Sequence, residues 1–388
     1  MTLDANKKLI VFAEDWGRLP SSTQHIISSL LRLGWEIIWI NSIGMREPQF
    51  TLFYFKRVLE KIRYFFQSKT RDSVIELPDN LVVINPFTIP LYSIKPIDVI
   101  NRWILKRQLS SVLHAKDFSN ALIWVSLPTA YPYLNLFINS PVIYYCCDDF
   151  SVFDGIDKNK IMELEKKLIQ HAALNIVSNP VLAEKMPADK VCLLDHGVNL
   201  EFFQTNYPRP SDLPIGKPIA GFYGCLSSWI DVDLLFYCAT TLKKINFVLI
   251  GPQEIDISQI LKLENVFYLG YKSYQDIPAY SQHWDVSLLP FLKQQRTFAS
   301  NPLTLKEYLS SGKPVVSISL PILKSFSDVV YIANTPSEFA HAIELAIDDT
   351  QEEKRKEFIK KYSWDVQVQH LEKRLLELFT HHEPDILG

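Results

Sequence analysis

Two successive series of short, branched apolar runs, each run followed by a helical or loop stretch, constrain this 388-residue chain more than any other feature. Residues 8–13 (Lys-Leu-Ile-Val-Phe-Ala) read as a buried strand, and Glu14 to Ser22 as a polar loop holding Gly17 and Pro20. Residues 23–32 read as a helix capped by Ser21 or Ser22 and ended at Gly34, and 36–40 as a second strand. That spacing is one βαβ unit. The alternation goes on with strands at 81–85, 121–125, 142–145, 174–177 and 191–194 and helices at 97–113, 158–171 and 180–185. Tyr207 to Pro218 then carries four prolines and little apolar periodicity, which reads as a linker. A second series follows, with strands at 219–223, 246–250, 266–269, 286–290, 314–318 and 329–332 and helices at 231–241, 302–310 and 337–347. A charged amphipathic helix at 360–380 closes the chain.

The fold class expected is α/β, with two doubly wound Rossmann-like domains facing across a cleft. The domains are expected at 1–206 and 207–360, with 361–388 returning to the first. The ligand site is expected at the carboxyl ends of the strands. Charge bounds the partners: a formal net charge of −3 gives no basic field for nucleic acid. Five cysteines without C-x-x-C spacing fit a reduced compartment with no zinc knuckle. No apolar run reaches the roughly 18–20 residues of a membrane span, and no signal peptide is read at the N-terminus, so the expected location is cytoplasmic.

Two segments carry anion-binding chemistry. Gly221-Phe-Tyr-Gly224 ends a strand in a glycine turn before a helix near Asp231, which suits a diphosphate or is an ordinary βα turn. In Phe298-Ala-Ser-Asn-Pro-Leu-Thr-Leu-Lys-Glu307-Tyr-Leu-Ser-Ser-Gly312-Lys-Pro-Val-Val316, Asn301 is expected to cap a helix with Pro302 at its first position, and Gly312 to end it. Glu307, one turn further in, is an acceptor-only carboxylate suited to two ribose hydroxyls.

This segment resembles the donor-binding helix of GT-B glycosyltransferases, in particular the large retaining family that builds bacterial polysaccharides. The resemblance extends to Asp195-His-Gly-Val-Asn199, to Asn265-Val-Phe-Tyr-Leu-Gly270-Tyr271, to the stretch from Tyr280 to Phe291 and to Ser363-Trp364-Asp365. Asn101-Arg-Trp-Ile-Leu, Leu122-Ile-Trp-Val-Ser-Leu-Pro128, Tyr144-Tyr-Cys-Cys-Asp148-Asp149 and Trp229-Ile-Asp231 are similar to a subgroup acting in cell-wall and capsular polysaccharide assembly. The resemblance implies a metal-independent, retaining glycosyltransferase with no cofactor and a nucleoside-diphosphate sugar as co-substrate. It implies donor contacts from Gly224, Gly251, Tyr271, Lys272, Arg296, Asn301, Pro302, Leu303, Thr304 and Glu307. The chain departs from the pattern at Ala299, where many relatives carry a first glutamate, and at Thr304, where a basic residue is common. Diphosphate charge then falls to Arg296, Lys293 or Lys306 and to helix dipoles.

Asp148 and Asp149 follow an apolar strand, where one would deprotonate or orient an acceptor, or both would cap the next helix. His196 is a candidate for approaching the donor phosphate or for a structural role. Glu14, Asp15 and Gly17 occupy the first βα loop on the acceptor side, the acceptor being a saccharide or lipid-linked saccharide. Residues 50–66 place Leu52, Phe55, Leu59, Ile62 and Phe66 on one helix face and Lys56, Arg57, Lys61 and Arg63 on the other, a pattern that fits a peripheral contact with the inner membrane face or a core helix with a solvated side. Two other readings stay open: a non-catalytic scaffold subunit of the same fold, and a nucleotide-sugar epimerase.

Overall fold

The computed structural model describes residues 7–17, 21–43, 77–88, 95–118, 120–150, 156–298 and 301–380. The chain divides into two compact units: 1–177 with 185–192 and 371–388, and 178–184 with 193–370.

The first unit is built on a seven-stranded sheet: β1 (Lys8–Phe12), β2 (Glu36–Ile40), β3 (Leu81–Ile84), β4 (Leu122–Val125), β5 (Val142–Cys146), β6 (Leu174–Val177) and β7 (Val191–Leu193). The strand order is β3-β2-β1-β4-β5-β6-β7. Pairing is parallel from β3 through β6. β4, β5 and β6 are buried along their whole length, which is why they read as unbroken apolar runs rather than as alternation. Helix Ser22–Arg32 starts where Ser21 Oγ accepts the Gln24 N–H at 3.1 Å, and Gly34 (φ 84°) ends it. Helix Lys158–His171 starts on an Asp157 cap. Trp35, Trp39 and Trp124 fill the core. The far end of helix Trp364–Thr380 packs here: Glu372 Oε1 accepts from Lys7 Nζ and Trp35 Nε1, both at 2.9 Å.

The second unit holds an all-parallel sheet: β8 (Ile219–Tyr223), β9 (Asn246–Ile250), β10 (Val266–Tyr268), β11 (Val286–Leu289), β12 (Val315–Ile318) and β13 (Val330–Ala333), in the order β10-β9-β8-β11-β12-β13. In both sheets the order reverses beside the first strand of the series, at β1/β4 and at β8/β11. The carboxyl ends there are the switch points where ligands of doubly wound sheets bind.

The proline-rich stretch from Tyr207 to Pro218 is not a free linker. Leu213 is buried, and Asp212 accepts from Tyr280 Oη at 2.9 Å and from Lys272 Nζ at 2.6 Å. Gln282 Nε2 holds the carbonyls of Phe203 and Thr205 at 2.9 and 2.7 Å. The prolines make turns, but the stretch and the short helix Leu200–Gln204 before it pack within the second unit. Residues 50–66 and Ala299 lie outside the described residues. No described helix is long and apolar enough to cross a membrane.

Candidate functional site

In the second unit, three adjacent strands end in glycine at the same edge of the sheet. Gly224 follows β8 with φ 148°, Gly251 follows β9 with φ 134°, and Gly270 lies just past β10 with φ 69°. Gly224 N–H donates to Ile250 O and Gly251 N–H to Gly270 O, each at 2.9 Å, so the three turns are stitched together. A Cβ on Gly251 would sit 2.0 Å from the Gly224 carbonyl oxygen, a collision with backbone that no rotamer relieves. The row gives a ligand close access to main chain.

Helix Leu303–Ser310 follows β11, the neighbour of β8 across the switch point. Its first turn, Pro302 to Thr304, is partly open to solvent, while every residue from Leu305 to Ser310 is buried. The opening turn leaves N–H groups without intrahelical acceptors and carries the positive end of the dipole. Asn301 does not cap it: the cap position is Pro302, with no side-chain bond. The Asn301 amide is spent elsewhere, donating to Ser178 O at 2.7 Å and Asp195 Oδ1 at 2.6 Å and accepting from Lys306 Nζ at 2.9 Å. A tertiary network outcompetes the local cap.

Lys306 is correspondingly unable to meet a diphosphate. Its side chain is 0% exposed, its ammonium donates to Asp195 Oδ1 at 2.7 Å, and Tyr362 and Phe326 present ring faces at 5.3 and 5.5 Å. Burial pushes its pKa below the ordinary lysine value against the pull of Asp195. Lys293 reaches the Asn334 carbonyl at 3.0 Å from an exposed position. The side chain of Arg296 lies outside the described atoms, while its backbone belongs to helix Gln295–Phe298.

Glu307 is 7% exposed. Tyr223 Oη donates to its Oε2, and Tyr274 Oη to its Oε1 at 2.8 Å. Burial raises the carboxyl pKa while both tyrosine bonds oppose that rise. Each carboxylate oxygen keeps lone-pair capacity beyond one tyrosine, so the pair organises Glu307 without saturating it. No local sequence pattern ties Tyr223 and Tyr274 to a glutamate 84 and 33 positions away. Tyr271 is 65% exposed beside Gly270. The Lys272 side chain is tied to Asp212, so its backbone is what remains for a base.

His196 is 5% exposed, its ring edge-on to Trp364 at 6.5 Å. Desolvation, reinforced by Lys306, lowers its pKa from 6.5 to about 3, so the imidazole is neutral near pH 7. The folded state therefore binds fewer protons than the unfolded chain between about pH 3 and 6.5, and stability falls as pH falls through that window. The slope from this one group approaches about 1.4 kcal/mol per pH unit. Urea denaturation of wild type and His196→Asn at pH 4 to 7 measures it: the variant is expected to show a slope shallower by up to one proton, and identical slopes contradict the assignment.

In the first unit, Glu14, Asp15 and Gly17 sit at the end of β1, at that sheet's switch point. Ser21 Oγ donates to Glu14 Oε1, Ser42 N–H to Asp15 Oδ1 at 3.2 Å, and Gly17 N–H to Gln24 Oε1 at 3.0 Å. Trp16 is partly exposed and packs edge-on to Trp39 at 4.8 Å. Ala13, Ile40, Asn41, Leu127 and Thr129 close in beside it with no room for a water molecule, and Thr129 Oγ1 is buried without a hydrogen-bond partner among the described residues. Asp148 and Asp149 follow β5 and do not form a bare carboxylate pair: Asp149 is buried in an ion pair with Lys185 at 2.6 Å. Asp148 is partly buried, with Cys147 Sγ at 3.7 Å from its Oδ2. Among the described residues no group of three or more His, Cys, Asp or Glu is placed to hold a metal ion.

Residues 203–363 match the family model described as glycosyl transferases group 1. A Bacillus subtilis (strain 168) protein assigned as the teichuronic acid biosynthesis glycosyltransferase TuaH is 25% identical over 273 residues, covering 63% of this chain and 68% of that protein. Among solved structures, Anabaena Alr3699/HepE in complex with UDP and glucose superposes with a TM-score of 0.65 at 15% identity, over 95% of this chain and 99% of that one. An α,α-trehalose-phosphate synthase (UDP-forming) from Burkholderia vietnamiensis superposes with a TM-score of 0.68 at 13% identity, over 97% and 99%.

Proposed function

We propose that the chain is a glycosyltransferase of GT-B architecture that moves a sugar from a nucleoside-diphosphate sugar to a hydroxyl of a saccharide or lipid-linked saccharide in polysaccharide assembly, with retention at the anomeric carbon. The observation that carries this reading is the second unit's switch point, where glycine strand ends and an open helix turn meet the carboxylate of Glu307. The base rests on main chain at Tyr271 and Lys272, and two ribose hydroxyls donate to Glu307. The diphosphate lies against Gly224 and the N–H groups of Leu303 and Thr304, with the Arg296 backbone close in sequence. As the glycosidic bond to the diphosphate breaks, negative charge gathers on the leaving oxygens. Preorganised N–H groups and the helix dipole stabilise it there, with no metal in the scheme.

Uridine is the first base to test, since neighbours of the same fold are described with UDP. Neutral, buried His196 packs edge-on to Trp364 in a structural role and does not serve as an acid. On the acceptor side, Glu14, Asp15 and Gly17 with Trp16 form the saccharide-facing loop, and Asp148, partly buried at the end of β5, orients an acceptor hydroxyl. The basic, aromatic segment 50–66 belongs to this proposal as a membrane-surface contact.

Incubation of the protein with UDP-hexoses, with and without oligosaccharide or lipid-linked acceptors, tests the reading. UDP release that depends on acceptor, with a product of retained configuration, is expected. UDP release without acceptor, accompanied by an epimerised sugar, replaces the transferase reading with the epimerase one.

A further inference from the structure

Helix Lys95–Lys116 in the first unit buries one face and leaves the other bare. Asn101, Leu105 and Leu109, at four-residue spacing, are 1%, 0% and 1% exposed and form the inward stripe. On the opposite side Pro96, Val99, Ile100, Trp103, Lys106 and Arg107 are all exposed and recur at three- and four-residue spacing, one continuous face. Val99, Ile100 and Trp103 are 58%, 47% and 63% exposed. Scattered apolar residues on a surface need no cause, but three large ones within five residues of one helix face mark a contact. The charge on the same face is one-sided. Lys106 and Arg107 stand on it with no carboxylate among its six residues, in a chain whose formal net charge is −3. The Arg107 guanidinium lies 5.9 Å from the Trp103 ring, so the cation and the aromatic occupy one spot.

We propose that this face docks on the surface of an anionic lipid bilayer. A tryptophan flanked by branched aliphatics enters the headgroup boundary, and the lysine and arginine one turn on meet lipid phosphates, the arrangement of an interfacial helix lying in the membrane plane. The surface is separate from segment 50–66 and from every residue placed at the donor or acceptor site. It rests on the function proposed above only in its purpose: a lipid-linked acceptor is presented at that surface.

Flotation of the full chain with vesicles of phosphatidylglycerol and phosphatidylcholine, against phosphatidylcholine alone, tests it. Wild type is expected to float with the anionic vesicles and to leave them at high salt. Lys106→Glu/Arg107→Glu and Trp103→Ala are each expected to weaken the partition about tenfold or more, with thermal unfolding and UDP binding unchanged. Flotation of both variants equal to wild type overturns the proposal and moves the contact to another segment. No flotation of wild type with either vesicle overturns it too, and leaves the face to a protein partner. UDP binding read in the same samples keeps a failure of the membrane proposal distinct from a failure of the glycosyltransferase reading.

Discussion

Asp195→Ala is expected to destabilise the protein by about 3–5 kcal/mol, the usual cost of leaving one member of a buried ion pair without its partner. The Lys306 side chain is 0% exposed, while that of Asp195 is 23% exposed. Without Asp195 its ammonium keeps one neutral acceptor, the Asn301 carbonyl oxygen at 2.9 Å, and two ring faces. Asn301 loses an acceptor as well, the one at 2.6 Å from its Nδ2. Burial already holds the Lys306 pKa below its ordinary value, and removal of the carboxylate lowers it further. The folded variant then binds fewer protons than its unfolded chain below the unfolded lysine pKa. Its deficit is therefore expected to shrink as pH rises from 7 toward 10. The double variant Asp195→Leu/Lys306→Met, which removes both charges, is expected to recover most of the loss. Urea denaturation at pH 7 and pH 9.5 measures all three, and a deficit under about 1 kcal/mol for Asp195→Ala would show that the pair does not lock the start of helix Leu303–Ser310.

Glu307→Gln is expected to weaken nucleotide binding by about 10–100-fold while costing little stability. Hydrogen bonds to an ionised acceptor contribute roughly 1.5–3 kcal/mol each, about twice the neutral case, and the amide keeps one acceptor oxygen. Its NH2 group turns toward one of the two tyrosine hydroxyls, which can accept, so neither Tyr223 nor Tyr274 is orphaned. Tyr274→Phe separates the direct role from an indirect one. If Glu307 touches the ribose, removing the tyrosine hydroxyl has the smaller effect on the nucleotide dissociation constant; equal losses in both variants would mean that the glutamate serves to hold the tyrosine.

The sheet framework is legible in the sequence wherever a segment's fate is decided locally. β8 and β9 fall on residues 219–223 and 246–250 because each is an unbroken apolar run between turn formers, and helix Lys158–His171 begins where Asp157 can cap it. The site is legible only as a set of positions. Asn301 has the chemistry of a cap, yet its amide is claimed by Ser178, 123 positions away, and by Asp195, 106 positions away. Lys306 has the charge for a phosphate, but a helix buried from Leu305 onward turns it inward. The prolines between Tyr207 and Pro218 announce turns, while the burial of Leu213 and the bonds to Asp212 depend on elements sixty or more residues later. In each case side-chain partners far apart in sequence settle a choice that local preference leaves open.

Titration of UDP, GDP, dTDP, CDP and ADP into the wild-type protein by calorimetry tests the donor site most directly. Saturable 1:1 binding of one of them, UDP first, is expected, with a matching rise in unfolding temperature as the ligand stabilises the native state. If none of the five binds, the switch point of the second sheet is not a donor site, and the chain is a scaffold that keeps the fold without the chemistry.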